Sequence, residues 1–317
     1  MKDLLFAMYM GGPDSLESIR PFLKNLFSDR TIINFHIGSF AQNILAGVIA
    51  KSRSKKVAPL YEKMGGSSPQ LKHMKTVLAK TAALYEKETG RELEVRTGMC
   101  YYHPYIEDEL EKLNGKEYGK IYAMTMYPQD SYTTSGLCFK RFEEKLKSID
   151  LKGEIKRIPF WHLNKSYNRC LAARVYKAAE RIGKPLSDCH ILFSAHSLPV
   201  YTLTKGDLYT KHLQEQIDLI LNLLSHDKHS LAYQSRTGPV KWLGPETSTK
   251  LDELADAGVD NILVLPISFV SDHIETLIEL DEEYISHIKA KGINITRTES
   301  LNGSDDFAAS LVDIIKN

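Results

Sequence analysis

Short apolar runs alternate with longer amphipathic stretches along most of this chain of 317 residues. Apolar runs of strand length, separated by stretches with apolar residues at helical spacing, are typical of βαβ units around a mainly parallel sheet. The pattern therefore predicts an α/β fold. The predicted strands are 4–10, 31–35, 93–100, 120–127, 155–160, 190–195, 229–234, 261–269 and 295–300. The predicted crossover helices are 69–89, 104–113, 135–148, 165–182, 207–225, 246–257 and 272–290.

The predicted strands fall into two groups of similar size, separated where Gly153 and Pro159 interrupt the pattern. We therefore expect two similar doubly wound domains that meet near residue 158. A weak internal repeat agrees, since the run at 121–128 leads to a serine, as does the run at 262–270. Ligands of open α/β sheets bind beyond the carboxyl ends of the strands, and a cleft between two domains is a common place for them. The loops of interest follow residues 10, 100, 127, 195, 235 and 269.

Composition changes this interpretation mainly by excluding functional classes. The chain has 41 Lys and Arg against 40 Asp and Glu, and this net charge of +1 gives no broad basic surface for nucleic acid. The four cysteines lie far apart without a CxxC pair, which favours free thiols in a reducing cytoplasm. The N-terminal apolar run ends at Gly11 with neither a signal cleavage site nor the length of a membrane span. We therefore expect a cytoplasmic protein.

A histidine follows the predicted strand at 190–195. The stretch Ser194-Ala195-His196-Ser197-Leu198-Pro199 places an imidazole among small hydroxyl side chains at the end of the strand. Such an imidazole can accept a proton or bind a metal at neutral pH. The alternative is a structural histidine that bonds to nearby backbone in a tight turn.

An acidic segment follows the predicted strand at 261–269. Glu275, Glu279 and Glu283 stand at i, i+4 and i+8, so they share one face of a helix and could attract a hydrated divalent cation. The alternative is a solvated acidic face near a helix N-terminus, where the helix dipole favours carboxylates. His273 and Glu275 come directly after the strand, which weakens the alternative for Glu275.

Glycine-rich turns, basic residues and aromatic residues supply further candidates. Gly11-Gly12-Pro13 and Gly65-Gly66-Ser67-Ser68-Pro69 could present backbone N–H groups to an anion or could be plain turns. Arg53, Lys55 and Lys56 could pair with substrate carboxylates or form a basic helix terminus. The aromatic residues near predicted strand ends suit a flat apolar ligand or ordinary core packing; they are Tyr101, Tyr102, Tyr127, Trp242 and Phe269.

Taken together, these stretches resemble the ferrochelatase family, whose members insert ferrous iron into a porphyrin to make haem. They occur in the family's order from residue 4 to about residue 303, so the resemblance covers nearly the whole chain. The matching stretches are Met10 to Pro13, Gly65 to Pro69, Tyr127 to Gln129, Ser194 to Pro199, Tyr233 to Pro239, Trp242 to Pro245 and Phe269 to Asp281.

The resemblance implies two Rossmann-like, chelatase-like domains with parallel sheets of the four-stranded type. The first domain would cover 1–158, completed by a C-terminal helix at 303–317, and the second 159–302, with the tetrapyrrole in the cleft between them. His196 and Glu275 would be catalytic and face each other across the macrocycle plane. The metal ligands would be His196, Glu275, Glu279 and Glu283. The helix that bears the three glutamates would be locally widened. The implied porphyrin-binding residues are Met10, Arg53, Lys56, Tyr61, Ser68, Tyr127, Ser131, Ser235, Trp242, Phe269 and His273.

The resemblance also implies which partners and cofactors to expect. Protoporphyrin IX and ferrous iron would be substrates, with no tightly bound cofactor, and no iron–sulfur cluster because the cysteine-rich extension of some relatives is absent. No nucleic acid is expected, and a monomer is favoured, although the sequence leaves the oligomeric state open. Peripheral membrane contact would need an apolar lip. The segments 21–23 and 26–27 could supply one, or they could be the core face of a single helix.

Two departures from the family pattern leave alternatives open. Many relatives have an arginine where this chain has Cys100, and they read YPQYS where it has Asp130. These changes motivate a non-catalytic porphyrin- or haem-binding protein as one alternative. Coproporphyrin III is the alternative substrate, although Met10 favours protoporphyrin because the coproporphyrin branch tends to have a tyrosine there. A cobalt or nickel chelatase for sirohydrochlorin is the remaining alternative, disfavoured by the apolar ring positions.

Overall fold

The computed structural model describes residues 1–237 and 240–317, and the chain divides into two compact units. Unit 1 comprises Met1–Trp161 and Gly303–Asn317, and unit 2 comprises His162–Asn302. Each unit is built on one four-stranded parallel sheet flanked by helices. The predicted α/β fold class, with two doubly wound parallel sheets, is confirmed.

Unit 1 contains a sheet with the strand order β2-β1-β3-β4. Its central strand, β1, is buried along its whole length, as expected for an apolar strand covered by helices on both faces. The elements are β1 (Asp3–Tyr9), α1 (Ile19–Ser28), α2 (Ser39–Lys63), α3 (Gln70–Thr89), β2 (Leu93–Met99), α4 (Ile106–Glu111), β3 (Glu117–Thr125), α5 (Ser135–Leu146) and β4 (Lys152–Ile158).

Unit 2 repeats this topology with the order β6-β5-β7-β8. The two runs of the weak internal repeat form β3 and β7, which hold the same position in their sheets. The elements are α6 (Lys165–Arg181), β5 (His190–His196), α7 (Tyr201–Thr204), α8 (Tyr209–Leu224), β6 (His229–Gln234), α9 (Thr247–Asp256), β7 (Asn261–Pro266), a π-helix (Glu275–Ile285), α10 (Ser286–Ala290) and β8 (Asn294–Arg297).

The last helix, α11 (Asp305–Lys316), packs against α3 within unit 1. Lys80 ties the two helices together, because its ammonium group donates to the carbonyl of Gly303 at 2.7 Å and pairs with Asp305 at 2.6 Å. The buried Thr81 hydroxyl also reaches the carbonyl of Ala308 at 3.4 Å. The chain therefore returns to its first sheet after completing the second.

The predicted strand at 31–35 is wrong, because this segment forms a turn. The carboxylate of Asp29 accepts the N–H of Thr31 at 2.8 Å, and the carbonyl of Asp29 accepts the N–H groups of Ile32 and Ile33. An Asx-type turn of this kind satisfies the backbone locally, so no sheet partner is needed.

Neither α1 nor α2 is among the predicted helices. For α2 the reason lies in apolar residues that face solvent. Phe40, Ile44 and Val48 lie one turn apart on α2, yet all three are exposed, Phe40 by 80%. By contrast, Phe22 and Leu26 on α1 pack against the core of unit 1, so the apolar residues of 21–27 include a core-facing set.

Within the described residues, none of the helices combines the length and apolarity that a membrane span requires.

Candidate active site

The candidate site of unit 2 lies where three neighbouring strands end. His196 is the last residue of β5, Ser235 follows β6, and the chain after β7 leads into the π-helix that carries Glu275 and Glu279. Because β6, β5 and β7 are adjacent and parallel, their carboxyl ends lie at the same edge of the sheet. This edge is where ligands of open α/β sheets bind.

His196 and Glu275 form a direct pair at this edge. The Nδ1 atom of His196 lies 2.8 Å from Oε2 of Glu275, and the two side chains are 34% and 24% exposed. Burial lowers the pKa of His196, but the charge and hydrogen bond of Glu275 outweigh it and raise that pKa above its usual value. Burial alone would raise the pKa of Glu275, yet His196 lowers it to about 2. The pair therefore favours an imidazole that binds a proton beside an ionised carboxylate.

The resemblance implied that these two side chains face each other across a macrocycle, whereas in the structure they are hydrogen-bonded to each other. A flat ring needs roughly 3.5 Å of clearance on each face, so it cannot fit between atoms that are hydrogen-bonded at 2.8 Å. While this hydrogen bond is made, no ring lies between the two side chains.

The backbone of His196 is held by two hydroxyl groups of unit 2. Tyr209 donates its hydroxyl to the carbonyl of His196 at 2.9 Å, and Ser268 accepts the His196 N–H at 3.3 Å. The Tyr209 and Ser268 hydroxyls also lie 2.5 Å apart. These contacts from α8 and the loop after β7 fix the direction in which the imidazole projects.

Ser235 bridges the two glutamates of the π-helix. Its hydroxyl lies 2.8 Å from Oε2 of Glu275 and 2.5 Å from Oε2 of Glu279, and its backbone N–H donates to Oε1 of Glu279 at 2.8 Å. A hydroxyl has one proton to donate, so both short contacts are satisfied together only if one carboxyl is itself protonated. Burial and the charge of Glu275 raise the pKa of Glu279. Of the two carboxyls, Glu279 is therefore the one that binds a proton more readily.

The expected widening of the acidic helix is confirmed, because Glu275–Ile285 is a π-helix. In this geometry residue i+5 comes over residue i, so the hydroxyl of Tyr284 donates to Oε1 of Glu279 at 2.7 Å. Glu283, also predicted as a metal ligand, is exposed. The structure therefore joins Glu275 to Glu279 through Ser235 and leaves Glu283 facing solvent.

The loop before the π-helix packs aromatic rings beside His196. The Phe269 ring centroid lies 4.3 Å from that of His273 and 6.3 Å from that of His196. His273 is buried with its Nδ1 atom 3.1 Å from the Ser271 carbonyl, and burial lowers its pKa. We expect a neutral His273 that supports Phe269.

Unit 1 carries a connected group of predicted porphyrin-binding residues at the ends of its own strands. The hydroxyl of Tyr127 accepts the N–H of Met10 at 3.1 Å, and the Tyr127 ring stacks on Tyr9 at 4.7 Å. Gln70 donates to the Tyr9 hydroxyl at 3.1 Å and accepts from Ser68 at 3.4 Å. Met10, Tyr127 and Ser68 thus share one hydrogen-bonded and stacked network.

The other predicted porphyrin-binding residues of unit 1 have their own contacts or are exposed. Ser131 is buried, and its hydroxyl lies 2.8 Å from that of Thr133. Tyr61 is buried on α2, and its carbonyl accepts the N–H of Gly66 at 2.8 Å, which closes a turn after the helix. That contact supports the plain-turn interpretation of Gly65-Gly66. Arg53 and Lys56 are exposed on α2.

The remaining predicted residue, Trp242, lies beside the strand extension that follows His196. It pairs with Pro199 in an antiparallel bridge, and the N–H of Leu243 next to it donates to the Leu198 carbonyl at 2.9 Å. Gly238 and Pro239, which close the matching stretch from Tyr233, lie outside the described residues.

Both departures from the family pattern have local partners in unit 1. Arg141 donates from its guanidinium to the carbonyl of Cys100 and pairs with Glu107 at 2.7 Å, so a guanidinium lies next to Cys100. Asp130 accepts the hydroxyl of Ser135 at 2.5 Å, at the start of α5. A carboxylate at a helix N-terminus is favoured by the helix dipole, so Asp130 has a structural use.

Sequence reasoning missed Gln234 and Tyr284. Gln234 is fully buried, donates to the Glu275 carbonyl at 3.0 Å and accepts the Ser194 hydroxyl at 2.7 Å, so it links β5, β6 and the π-helix. A polar amide at the end of an otherwise apolar strand could have marked it. Tyr284 could be found only with the π-helical spacing in hand.

If this site carries out the metal insertion that the resemblance implies, removing the Ser235 hydroxyl should slow it by roughly 10-fold, because Glu275 and Glu279 would lose the donor between them. Ser235 has a left-handed backbone (φ 67°), so both Ser235→Ala and Ser235→Gly should be assayed, and glycine should be as slow as alanine. Ser230→Ala, at the other end of β6, is the matched control. Unchanged rates in both Ser235 variants would contradict the bridging role.

Comparison with solved structures shows which proteins share this type of fold. A CbiX, described as the terminal enzyme for biosynthesis of siroheme in denitrifying bacteria, matches with a TM-score of 0.53 and 11% identity over 100% of this chain and 98% of its own. The sirohydrochlorin chelatase SirB from Bacillus subtilis subspecies spizizenii, solved in complex with cobalt, matches with a TM-score of 0.51 and 10% identity over 100% and 94%. At these identities the matches establish only that the α/β fold is shared.

Sequence comparison then identifies the family to which the chain belongs. The family model described as Ferrochelatase matches residues 3–317. The ferrochelatase of Aquifex aeolicus is 37% identical over 319 residues, covering 100% of this chain and 99% of that protein. The ferrochelatase of Gloeothece citriformis is 38% identical over 322 residues, covering 99% and 81%. This chain belongs to the ferrochelatase family, as its motifs predicted.

Proposed function

We propose that the protein is a ferrochelatase that inserts ferrous iron into protoporphyrin IX to form protohaem. The observation that carries the proposal is the connected set of His196, Glu275, Ser235 and Glu279 at the strand ends of unit 2. Family membership supports the reaction class, and this set supplies groups that the reaction needs.

The reaction requires a base near the macrocycle. Two pyrrole N–H protons leave the porphyrin as the ferrous ion becomes bound to its four nitrogens, so two protons must be carried away for each haem formed. His196 accepts a pyrrole proton while its imidazole is neutral, and the carboxylate of Glu275 stabilises the imidazolium that results. From Glu275, hydrogen bonds continue through Ser235 to Glu279, a route along which protons can leave.

The same groups suit a metal that is a substrate. Ferrous iron must be bound on the way in and released to the porphyrin, so imidazole and carboxylate ligands are better suited than a thiolate cage. We assign His196, Glu275 and Glu279 to the incoming ion, and no resident cofactor or iron–sulfur cluster is needed. The four buried cysteines then act as core residues.

Protoporphyrin is the substrate favoured by the apolar character of the ring-binding candidates. Coproporphyrin III carries two more carboxylates where protoporphyrin has vinyl groups. Met10 packs against the apolar core of unit 1, and its thioether offers no charge or hydrogen-bond donor to a carboxylate. Phe269 in unit 2 is equally apolar.

The substrate is tested by anaerobic ferrous insertion followed by visible absorbance, with protoporphyrin IX and coproporphyrin III assayed separately. We expect kcat/KM for protoporphyrin to exceed that for coproporphyrin by at least about 10-fold, because a buried unpaired carboxylate costs well over 1 kcal/mol. The reverse preference would assign the coproporphyrin reaction instead. Insertion of cobalt into sirohydrochlorin without activity on either porphyrin would assign the third reaction.

A non-catalytic porphyrin-binding protein is the second candidate function, motivated by Cys100 and Asp130. The contacts of Arg141 and Asp130 weaken that case, because both departures are accommodated within unit 1. Tight binding of porphyrin without insertion of any metal would favour the binding protein over the enzyme.

A further inference from the structure

Unit 2 contains a cluster of metal-ligating side chains on elements other than those of the candidate active site. His162 lies just before α6, while His212 and Glu215 lie on α8. One ligand atom from each residue lies within 4.8 Å of the other two. The i, i+3 spacing of His212 and Glu215 puts both on one face of α8, toward His162.

We propose that His162, His212 and Glu215 form a second metal site, which takes a divalent transition ion such as Zn²⁺ and joins α8 to the segment before α6. Two imidazoles and one carboxylate form a borderline donor set that suits Zn²⁺, Co²⁺ or Fe²⁺ rather than Mg²⁺ or Ca²⁺. Three protein ligands leave the fourth tetrahedral position to water.

Two ligand atoms of this cluster are already in contact, and its two imidazole rings lie face to face. The imidazole rings of His162 and His212 stack nearly in parallel, with centroids 3.9 Å apart and an angle of 14° between planes. Nε2 of His162 lies 3.0 Å from Oε2 of Glu215. Ligands about 2.0–2.1 Å from a tetrahedral ion lie roughly 3.4 Å from one another. Because an imidazole nitrogen binds an ion in the plane of its ring, one of the two stacked rings must turn before all three ligand atoms reach one ion.

Buried amide side chains on α6 and α8 support the backbone of His162. The amide of Asn168 donates to the carbonyl of His162 at 2.7 Å, and Gln216, next to Glu215, donates to Asn168 at 3.1 Å. Both amide side chains are fully buried. This support fixes the backbone of one ligand relative to the helix that bears the other two, and such preorganisation strengthens metal binding.

Charge and access also fit a cation. Glu215 gives the cluster a carboxylate beside its two imidazoles. Both histidines are buried, whereas 37% of the Glu215 side chain is exposed. An ion can therefore enter from the Glu215 side and replace the hydrogen bond between His162 and Glu215.

The test uses Co²⁺ and Zn²⁺ with full-length protein that carries no histidine tag, in a buffer without chelators. All variants are made in a His196→Ala background, so that binding at the candidate active site is weakened in every sample. We expect this background protein to bind one Co²⁺ with the visible absorption of a four- or five-coordinate site, and Zn²⁺ but not Mg²⁺ to raise its Tm.

Glu215→Gln and His212→Ala are each expected to weaken Co²⁺ binding on the order of 100-fold and to remove the Zn²⁺-dependent rise in Tm. Glu215→Gln is conservative and partly exposed, so it serves even if His212→Ala fails to fold. Asp218→Asn, an exposed carboxylate on the same helix, is the matched control and should bind Co²⁺ like the background. Unchanged Co²⁺ affinity in Glu215→Gln, or no bound Co²⁺ in the background protein, would overturn the proposal.

Discussion

Replacing His196 with alanine is expected to lower the rate of ferrous insertion by roughly 10³-fold, which makes it the most damaging single change that we predict. General-base groups contribute typically 10²–10⁴-fold, and His196 is also assigned to the incoming ion. The substitution removes the contact of the imidazole with Glu275 but leaves the backbone contacts of residue 196 in place. Glu275 would keep its carboxylate but lose the hydrogen bond of 2.8 Å, while the backbone contacts from Tyr209 and Ser268 would remain.

The measurement is the initial rate of haem formation at saturating porphyrin, together with porphyrin affinity from fluorescence quenching. Affinity should change little, because the lost group acts on protons and metal. His190→Ala is the matched control, since His190 lies at the opposite end of the same strand and bonds to Ser230 at 2.9 Å. A His196→Ala protein that inserts iron within a factor of three of wild type would remove His196 from the mechanism.

Replacing Glu275 with glutamine is expected to slow insertion on the order of 100-fold and to change its dependence on pH. Only neutral His196 can accept a pyrrole proton, so the wild-type rate should rise as pH increases through the raised pKa of His196. Glutamine removes the charge that raises this pKa, while burial, which lowers it, remains. The rise in rate should therefore move to lower pH in Glu275→Gln, even though the maximal rate is smaller.

The measurement is kcat against pH for both proteins, with binding of porphyrin checked at each pH. Glu282→Gln, an exposed position on the same π-helix, is the control and should keep the wild-type profile. A slow Glu275→Gln enzyme whose pH profile stays in place would mean that Glu275 acts on the metal alone, without influence on the proton affinity of His196.

Much of the fold could be predicted from the chain because strand and helix signals are local. After Asp3, the β1 run is apolar at every position from Leu4 to Tyr9, and a strand buried on both faces requires just that pattern. The strand prediction for 31–35 was wrong for a local reason too. The Asp29 carboxylate accepts a backbone N–H and closes a turn, although the residues that follow are apolar. Helix α2 escaped because exposed apolar residues on it blur the amphipathic pattern.

Some residues of the candidate site could likewise be found from the sequence, and others only from the structure. Motifs in the sequence identified His196, Ser235, Glu275 and Glu279 through resemblance, because each lies in a short stretch with its own pattern. The spacing of the glutamates alone grouped Glu283 with them, whereas the structure leaves Glu283 exposed and adds Tyr284 and Gln234 instead. The difference arises because the π-helix changes which residues share a face.

By itself, the sequence determined the α/β class, the family and the residue types available for proton and metal chemistry, since these follow from local pattern and short motifs. Only the tertiary structure decided that His196 and Glu275 are hydrogen-bonded to each other, that Ser235 bridges Glu275 and Glu279, and that His162 lies beside His212 and Glu215. These relations join residues between 40 and 79 positions apart, or lie on separate elements. Their distances depend on strand order and helix packing, which no local pattern encodes.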